Sequence, residues 1–456
     1  MKESTRIIEL DGRTGEGGGQ LVRIACVLAA VATQPIRITN VRGNRAGPRG
    51  GGLKAQHVSS IEWLAKATGA DVEGLFVGSH TLEFRPRRKP SGLRDRTIKI
   101  IAESPAASIM LIFQAIFPFL LFASSNGSDD GKSPSCPVDL EIMGGTNVSF
   151  SLSYEYLDQV LLPTIEEAFP AIRVERELKS RGWHQGKSRH GTVAFKIYPL
   201  PIGEPLVPRS AATSGGSYHY HRHESNKNKS NGVHKVDVSL IAPATMHSPL
   251  SKALAQDLDD LFPNVDVTFK IMEDSGSDSR VYVLLVAISP KCSPETGCTQ
   301  PRRRWGRDIL TAVPKNKHAK NNKNRKKNNN NNNDQNQETT FSENISRKLS
   351  RDLYEEISTG GDVDEYLHDQ LVIFQALASG RTSFPRSTAS DGTSSNQHHG
   401  KDEEVSRKKL QEPFGEGSTH TTTARWVTTE LLPGVVWYND GRVCDGVGMR
   451  MDKTHT

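Results

Sequence analysis

The chain has 456 residues, of which 35% are hydrophobic and 6% aromatic, and its formal net charge is +6. This length allows two or three domains with a sizeable core, and the low aromatic share argues against a broad base-stacking surface for nucleic acid. The five cysteines are scattered and odd in number, which argues against a disulfide framework and for a reducing compartment. The mild basic excess is compatible with a polyanionic partner.

Strand-like and helix-like segments alternate along the first part of the chain. One cycle has predicted strands at 6–10, 36–41 and 79–84 and predicted helices at 20–32 and 54–68. A second cycle has strands at 97–101 and 138–142 and helices at 106–122 and 154–169. This order predicts an α/β fold with an internal repeat of roughly 90 residues.

The most apolar stretch, 109–123, is shorter than the ~20 residues that a bilayer span requires. It also contains Gln114 and Pro118, so we predict a buried helix. The N-terminal residues 1–10 are charged and lack the apolar core of a signal peptide. We therefore expect an intracellular protein with no membrane association.

Three polar segments, at 209–234, 314–340 and 386–418, are predicted to be unstructured because they contain too few apolar residues to form a core. The first contains His219, His221 and His223, for which a solvated loop is favoured over a metal site. Between the inserts lies a strand–helix–strand–strand unit, which a further helix closes. Its strands are predicted at 235–241, 265–271 and 281–288 and its helices at 249–262 and 346–357, with later helices at 364–378 and 421–431 and a strand at 435–438.

A glycine-rich loop between the first strand and the first helix is the sharpest local signal. Clustered glycines let the backbone approach an anion, and the N-terminus of the following helix offers free N–H groups to a phosphate. A tight turn without a ligand is the alternative. Glu16 inside this loop would repel phosphates unless a metal ion lies between them, or it caps the helix instead. The segment reads Gly12-Arg13-Thr14-Gly15-Glu16-Gly17-Gly18-Gly19-Gln20-Leu21-Val22-Arg23.

A second glycine-rich loop carries two arginines shortly after a predicted strand. The planar guanidinium groups of Arg42 and Arg45 suit phosphate oxygens, although a solvated basic loop has the same composition. Gln56 and His57 follow at the start of a predicted amphipathic helix, where we favour a substrate contact or a structural role for His57 over a role as nucleophile.

In their order along the chain, these segments resemble the RNA 3′-terminal phosphate cyclase family. The family pattern begins with the Gly12 to Arg23 segment, and the resemblance runs from about Ile7 to Pro433 while skipping the polar inserts. Its further blocks lie at 41–57, around Gln114, and at 144–147, 365–371 and 419–423.

The resemblance implies a large domain of repeated α/β units, at 1–200 and 359–456, with a smaller α/β domain inserted at 201–358. It also implies ATP-dependent conversion of RNA 3′-phosphate ends to 2′,3′-cyclic phosphates with the help of Mg²⁺. In this family a histidine of the late block becomes covalently linked to AMP, and by position that histidine is His420. A neutral imidazole is a competent nucleophile near pH 7.

Other roles follow from the resemblance, position by position. Glu16 would serve the metal ion and ATP. Taken alone, Asp369 is equally compatible with a helix-surface acid and Tyr366 with a core aromatic. Nucleotide contacts are implied for Gln20, Arg23, Gln114, Tyr366 and Asp369, and contacts to RNA or its phosphates for Arg42, Arg45, Gln56 and His57.

The chain departs from the family pattern at 103–108, at 151–152 and at 182–191, and Ala424 follows Thr423 in place of a polar residue. These departures concern substrate contacts and leave Glu16 and His420 in place. A non-catalytic cyclase-like RNA-binding protein of ribosome biogenesis is the main rival, but such relatives lack the late histidine. An enolpyruvate transferase would lack both the glycine loop and the histidine block.

The Lys/Asn tract within 314–340 is compatible with a nuclear address and equally with a solvated insert. Because eukaryotic members of the family are typically nuclear, the resemblance favours the nucleus.

Overall fold

The architecture comes from a computed structural model of the chain. It describes residues 6–45, 47, 50–124, 136–184, 189–209, 232–291, 301–314, 330–386 and 415–452, the side chains of 330–337 excepted. The predicted His219, His221 and His223 loop and most of the three polar segments lie outside the described residues. Two compact units are present, one formed by residues 1–215 and 365–456 and the other by residues 216–364.

The first unit begins with two modules of the same topology. In each, two parallel strands are joined by a helix, and two antiparallel strands complete a four-stranded sheet, in the orders β1-β2-β4-β3 and β5-β6-β8-β7. The predicted internal repeat is therefore confirmed. The first module contains β1 (Ile8–Asp11), α1 (Gly19–Ala32), β2 (Ile36–Thr39), α2 (Ala55–Thr68), β3 (Asp71–Glu73) and β4 (Leu82–Arg85).

The second module repeats this order with a longer second helical segment. A π-helical stretch, Leu157–Leu161, joins its last two helices. The apolar segment predicted to be a buried helix is α3, in which every residue except Gln114 is buried. Among the described residues, no helix is long and apolar enough to span a membrane. The module contains β5 (Thr97–Ile101), α3 (Ile109–Leu121), β6 (Val138–Gly144), α4 (Tyr154–Tyr156), α5 (Leu162–Ala168), β7 (Arg173–Ser180) and β8 (Gly191–Tyr198).

The last part of the first unit adds two helices and a small sheet of order β13-β15-β14. Helix α1 packs against α3 and α9, and α9 packs against α8, so the glycine loop and both late family blocks lie in one helical layer. The elements are α8 (Glu365–Leu377), β13 (Ser379–Ser383), α9 (Thr419–Leu431), β14 (Val436–Tyr438) and β15 (Val443–Val447).

The second unit is a four-stranded sheet of order β10-β9-β11-β12 with two helices against it. Leu250, Leu254 and Leu258 of α6 and Leu349 and Leu353 of α7 pack on the sheet at helical spacing. The elements are β9 (Lys235–Ala242), α6 (Ala244–Leu261), β10 (Asp266–Asp274), β11 (Arg280–Ile288), β12 (Arg304–Ala312) and α7 (Asn330–Ser358).

Two features of the second unit differ from the predictions. Residues 330–340 were expected to be unstructured, but they are the first turns of α7. Extending a helix costs little once a nucleus exists, and the buried Ile345, Leu349 and Leu353 supply that nucleus. Strand β12 was not predicted, because its basic first half, Arg304-Trp305-Gly306-Arg307, hides the strand pattern; these four residues are nonetheless buried.

Candidate active site

The glycine loop is held in place by a neighbouring asparagine and by α9. The side-chain amide of Asn44 donates to the carbonyl oxygen of Arg13 at 2.6 Å, and the backbone N–H of Glu16 donates to Thr423 Oγ1 at 2.9 Å. Gly18 precedes α1 without a capping side chain. A Cβ atom on Gly18 would lie within 2.3 Å of both carboxylate oxygens of Glu16, so only glycine leaves room for that side chain.

Glu16 is buried at the meeting point of the glycine loop and α9. Its Oε2 lies 3.6 Å from His420 Nδ1, and Arg45 forms an ion pair with Oε1. Oε2 has no hydrogen-bond donor in the described part of the chain, and neither oxygen caps α1. The helix-cap alternative for Glu16 is therefore not what the structure contains.

His420 lies in the first turn of α9, whose N-terminus is capped by the Ser418 hydroxyl accepting from the N–H of Thr421 at 3.2 Å. About half of the His420 side chain is exposed. Its Nδ1 lies 3.1 Å from Gln20 Oε1, and Gln20 Nε2 donates to Asp369 Oδ2 at 2.5 Å. Because the amide oxygen of Gln20 accepts, Nδ1 of His420 carries the proton and Nε2 keeps its lone pair.

Burial shifts the pKa values of His420 and Asp369, the two ends of this hydrogen-bond chain. It lowers the pKa of His420 below its ordinary value, an effect that the nearby Asp369 carboxylate partly offsets. It raises the pKa of Asp369, while His420 and its amide neighbours act in the opposite direction. Asp369 is thus buried, so the surface-acid alternative is wrong for it.

A second group of predicted residues surrounds the N-terminus of α1. His57 is buried, and its Nδ1 accepts from the backbone N–H of Lys54 at 3.0 Å, which closes the first turn of α2. Burial, Arg23, Arg42 and Lys54 lower the pKa of His57 well below its ordinary value. The ring is therefore neutral, and Nε2 carries the proton. No acceptor for Nε2 exists among the described residues.

His57 and Arg23 point to the same place. A Cβ atom on Gly19 would lie 2.5 Å from His57 Nε2 and 3.2 Å from Arg23 Nη1. Burial lowers the pKa of Arg23 to about 10 and also lowers that of Arg42. Both guanidinium groups nevertheless stay charged at neutral pH, in a site with little solvent. Helix N–H groups, one neutral imidazole N–H and two cations together form a candidate anion-binding site.

The remaining predicted residues lie around these two groups. Gln56 is half-buried next to His57, and Arg45 is exposed apart from its contact with Glu16. Gln114 donates to Gln370 Oε1. Tyr366 is 43% exposed and meets the edge of Tyr156 at 6.3 Å between ring centroids, which rules out the core-aromatic alternative.

A small cavity lies beside the Gln20–Asp369 contact. Its volume is about 40 Å³, which is enough to hold water. Polar groups of Gln20, Arg23, Gln114, Asp369 and Gln370 line one side, and α3, α5 and α8 supply its apolar walls.

Metal binding here requires more than protein ligands. The described residues contain no group of three His, Cys, Asp or Glu side chains placed for a metal ion. Mg²⁺ is commonly held by one or two carboxylates together with substrate phosphates and water. Glu16 fits that pattern, since its Oε2 lacks a hydrogen-bond donor and the carboxylate adjoins both Arg45 and His420.

Two of the segments that depart from the family pattern contact each other, since Ser108 Oγ lies 2.6 Å from Ser151 Oγ. The third meets the 144–147 block, where the N–H of Asn147 donates to the carbonyl oxygen of Gly182 at 3.0 Å. Both contacts lie close to the end of β6, whereas Ala424 lies on α9, the helix that carries His420.

A protein-family model described as RNA 3′-terminal phosphate cyclase matches residues 14–402. The chain belongs to the RNA 3′-terminal phosphate cyclase family. The resemblance stated from the sequence is confirmed, and so is the mixed α/β fold with repeated units. The matched range ends before α9, so it covers the glycine loop, α2, α3 and α8 but not His420.

Relatives named RNA 3′-terminal phosphate cyclase match this family member over most of the chain or over part of it. The protein of Methanosarcina mazei is 30% identical over 393 residues, which cover 83% of this chain and 89% of that one. The protein of Thermococcus sibiricus is 27% identical over 375 residues, 81% of this chain and 86% of that one. The protein of Methanosarcina barkeri is 41% identical over 161 residues, 35% and 43% of the two chains.

Some contributors to the cyclase site were not singled out from the sequence. Thr423 lies inside the late family block but was passed over as part of a threonine run, and Asn44 lies between the two arginines. Gln370 bridges Gln114 and Asp369, donating to Asp369 Oδ2 at 3.1 Å. Spacing within each block was the only available signal, because the partners come from distant segments.

Proposed function

We propose that this family member converts RNA 3′-phosphate ends to 2′,3′-cyclic phosphates with ATP, through a covalent link between AMP and His420. The observation that carries the proposal is the Asp369–Gln20–His420 hydrogen-bond chain. It holds a neutral imidazole with the Nε2 lone pair unused, at a helix N-terminus next to a buried carboxylate.

In the first step, His420 Nε2 attacks the α-phosphorus of ATP, and the bond from that phosphorus to the bridging oxygen of pyrophosphate breaks. The Nδ1 proton stays on the ring and donates to Gln20, which spreads the positive charge that develops on the imidazole. The buried Asp369 carboxylate holds Gln20 in the orientation that accepts this proton.

The anion-binding site at the α1 N-terminus suits the second phosphate, that of the RNA end. His57, Arg23 and Arg42 would hold a 3′-phosphate while one of its oxygens attacks the phosphorus on His420, which restores the free imidazole. The vicinal 2′-hydroxyl then attacks the activated 3′-phosphorus, AMP leaves, and the hydroxyl proton passes to solvent. A 2′-hydroxyl is present in RNA and absent from DNA.

Mg²⁺ at Glu16 would neutralise the charge that develops on the triphosphate. The carboxylate could then remain in the loop without repelling the nucleotide, and Arg45 would be released toward phosphate oxygens. Gln114 and Tyr366 are proposed as nucleotide contacts and Gln56 as an RNA contact, on the strength of their family positions and their places around the site.

The test uses the purified full chain with α-labelled ATP and Mg²⁺. We expect an acid-labile label on the protein and, with RNA bearing a 3′-phosphate, a product that resists phosphatase. RNA ending in a 3′-hydroxyl and DNA with a 3′-phosphate are the control substrates, and neither should be cyclised. Binding of RNA without any labelling would instead support the non-catalytic cyclase-like alternative.

A nuclear location stays a prediction. It rests on the Lys/Asn tract, most of which lies outside the described residues, and the relatives named above come from archaea, which have no nucleus.

The pH dependence of labelling should follow His420. Attack needs the neutral ring, so the rate rises with pH through the pKa of His420, which lies below its ordinary value. Labelling at pH 6.5 should therefore stay above half of its plateau, whereas a free histidine is about half protonated at that pH. Replacing Asp369 with asparagine removes a negative charge that raises the pKa of His420, so the acidic limb should move to lower pH.

The plateau in Asp369→Asn should also fall by roughly tenfold or more, as expected when the group that orients a catalytic histidine is lost. Rates of single-turnover AMP transfer from pH 5 to 8 measure both effects. An acidic limb that moves to higher pH in the variant would contradict the electrostatic assignment.

A further inference from the structure

Arg425 is a buried cation at the base of the proposed site. Only 1% of this residue is exposed, although it lies on α9 five residues after His420. Within the described ranges no carboxylate forms an ion pair with it. Burial lowers its pKa to about 10, so the guanidinium stays charged at neutral pH. Burying a charged guanidinium group costs solvation free energy, so a compensating structural role is expected for this arginine.

The guanidinium group occupies a space that the backbone leaves for it. A Cβ atom on Gly441 would lie 2.4 Å from its central carbon, and one on Gly415 would lie 2.8 Å from Nη1. Both glycines have φ of 85°, a conformation that other residues rarely adopt. The opposite side is covered by Trp437, whose ring centre lies 5.5 Å from the guanidinium carbon.

Two hydrogen bonds connect Arg425 to the segments that carry the site. Nη1 donates to the carbonyl oxygen of Glu416 at 2.5 Å, two residues before Ser418, which caps α9. Nη2 lies 3.4 Å from Nε2 of His368, the residue that precedes Asp369 in α8. The pKa of His368 is lowered to about 3, mainly by burial and further by the positive charges of Arg425 and Arg386. His368 is thus neutral and can accept.

We propose that Arg425 is a positioning residue, which holds the first turn of α9 against α8 so that His420 and Asp369 both reach Gln20. The inference relies on the proposed function only for the role of His420 as nucleophile. Arg425 touches neither Gln20 nor the reacting atoms, so its effect on the reaction must pass through the placement of His420.

The main test compares Arg425→Met with Arg381→Met. Arg381 pairs with Asp445 at 2.9 Å and stacks on Tyr438 in the neighbouring small sheet, away from Glu416 and His368. We expect Arg425→Met to slow AMP transfer at saturating ATP by about 100-fold, as a misplaced reacting group does, with little change in the KM for ATP. Arg381→Met should keep the wild-type rate.

A second readout does not require activity. Amide hydrogen exchange, followed by mass spectrometry, should become faster over residues 415–423 in Arg425→Met, because the first turn of α9 loses its attachment to α8. Arg425→Lys keeps the charge and reaches one of the two acceptors, so its rate and exchange should be intermediate. A wild-type rate with unchanged exchange in Arg425→Met would overturn the proposal.

If Arg425→Met does not fold, the double variant His368→Leu/Arg425→Met also removes the imidazole that would lose its partner. The carbonyl oxygen of Glu416, an exposed residue, then loses its donor where water can replace it. The double variant should fold and transfer AMP slowly, and a folded double variant with the wild-type rate would likewise refute the positioning role. If the wild-type protein itself takes up no label, the proposed function fails, whereas the hydrogen-exchange comparison still decides the role of Arg425.

Discussion

Replacing His420 with asparagine should abolish covalent labelling by AMP, with a loss of at least ~10³-fold in the rate of transfer. Asparagine is the informative choice because its amide N–H can still donate to Gln20 Oε1, which lies 3.1 Å from Nδ1 of the histidine. The substitution thus keeps the hydrogen-bond chain to Asp369 and removes only the nucleophilic Nε2. Gel analysis after incubation with α-labelled ATP measures the result.

A matched control is His247→Asn, in the second unit, where the imidazole contacts only the carbonyl oxygens of Ala242 and Glu273 among the contacts described. This variant should label like the wild type. Melting curves of both variants should show that the fold survives. Undiminished labelling of His420→Asn would remove His420 from the role of nucleophile and would return attention to the binding-protein alternative.

Replacing Glu16 with glutamine should lower labelling by about 100-fold at low Mg²⁺, and higher Mg²⁺ should partly restore it. The carboxylate is buried in a loop that faces the proposed phosphates, and repulsion between like charges grows where solvent is scarce. A cation between Glu16 and the nucleotide removes this repulsion, so a neutral amide weakens the cation site and leaves the shape of the loop unchanged.

The titration of labelling against Mg²⁺ concentration measures this effect, and Glu9→Gln is the control. Glu9 lies on β1, just before the loop, and pairs with Arg37 at the surface at 3.3 Å. Its amide variant should label normally at every Mg²⁺ concentration. If Glu16→Gln also labels normally throughout and only melts slightly earlier, the metal role of Glu16 must be abandoned.

The spacing of residues within each sequence block predicted part of the candidate site. The glycine loop, the arginine loop and the His420 block were each recognised from consecutive residues, because a loop that binds phosphate needs glycines and cations at short spacing. Their order along the chain was enough to identify the family. The hydrogen bond from Glu16 to Thr423 joins residues that are far apart in the chain, and no spacing rule predicts it.

The surroundings of the predicted residues show what the sequence did not predict. His57 was assigned a substrate contact or a structural role, and the structure gives its two ring nitrogens different environments: Nδ1 closes a turn of α2, while Nε2 faces the α1 N-terminus. Arg425 and His368 were not selected at all. A charged residue in a helix next to a threonine run is expected at the surface, and only the packing of α8, α9 and the small sheet places it inside.

By itself, the sequence determined the family, the two repeated α/β modules and the candidates for the chemically active side chains, because these depend on local spacing and hydrophobic periodicity. The tertiary structure alone decided which nitrogen of His420 keeps its lone pair, that Asp369 is buried, and that Arg425 is buried and bonded to Glu416 and His368. Those properties depend on hydrogen-bond partners and on exclusion of water, which arise only when separate segments of the chain pack together.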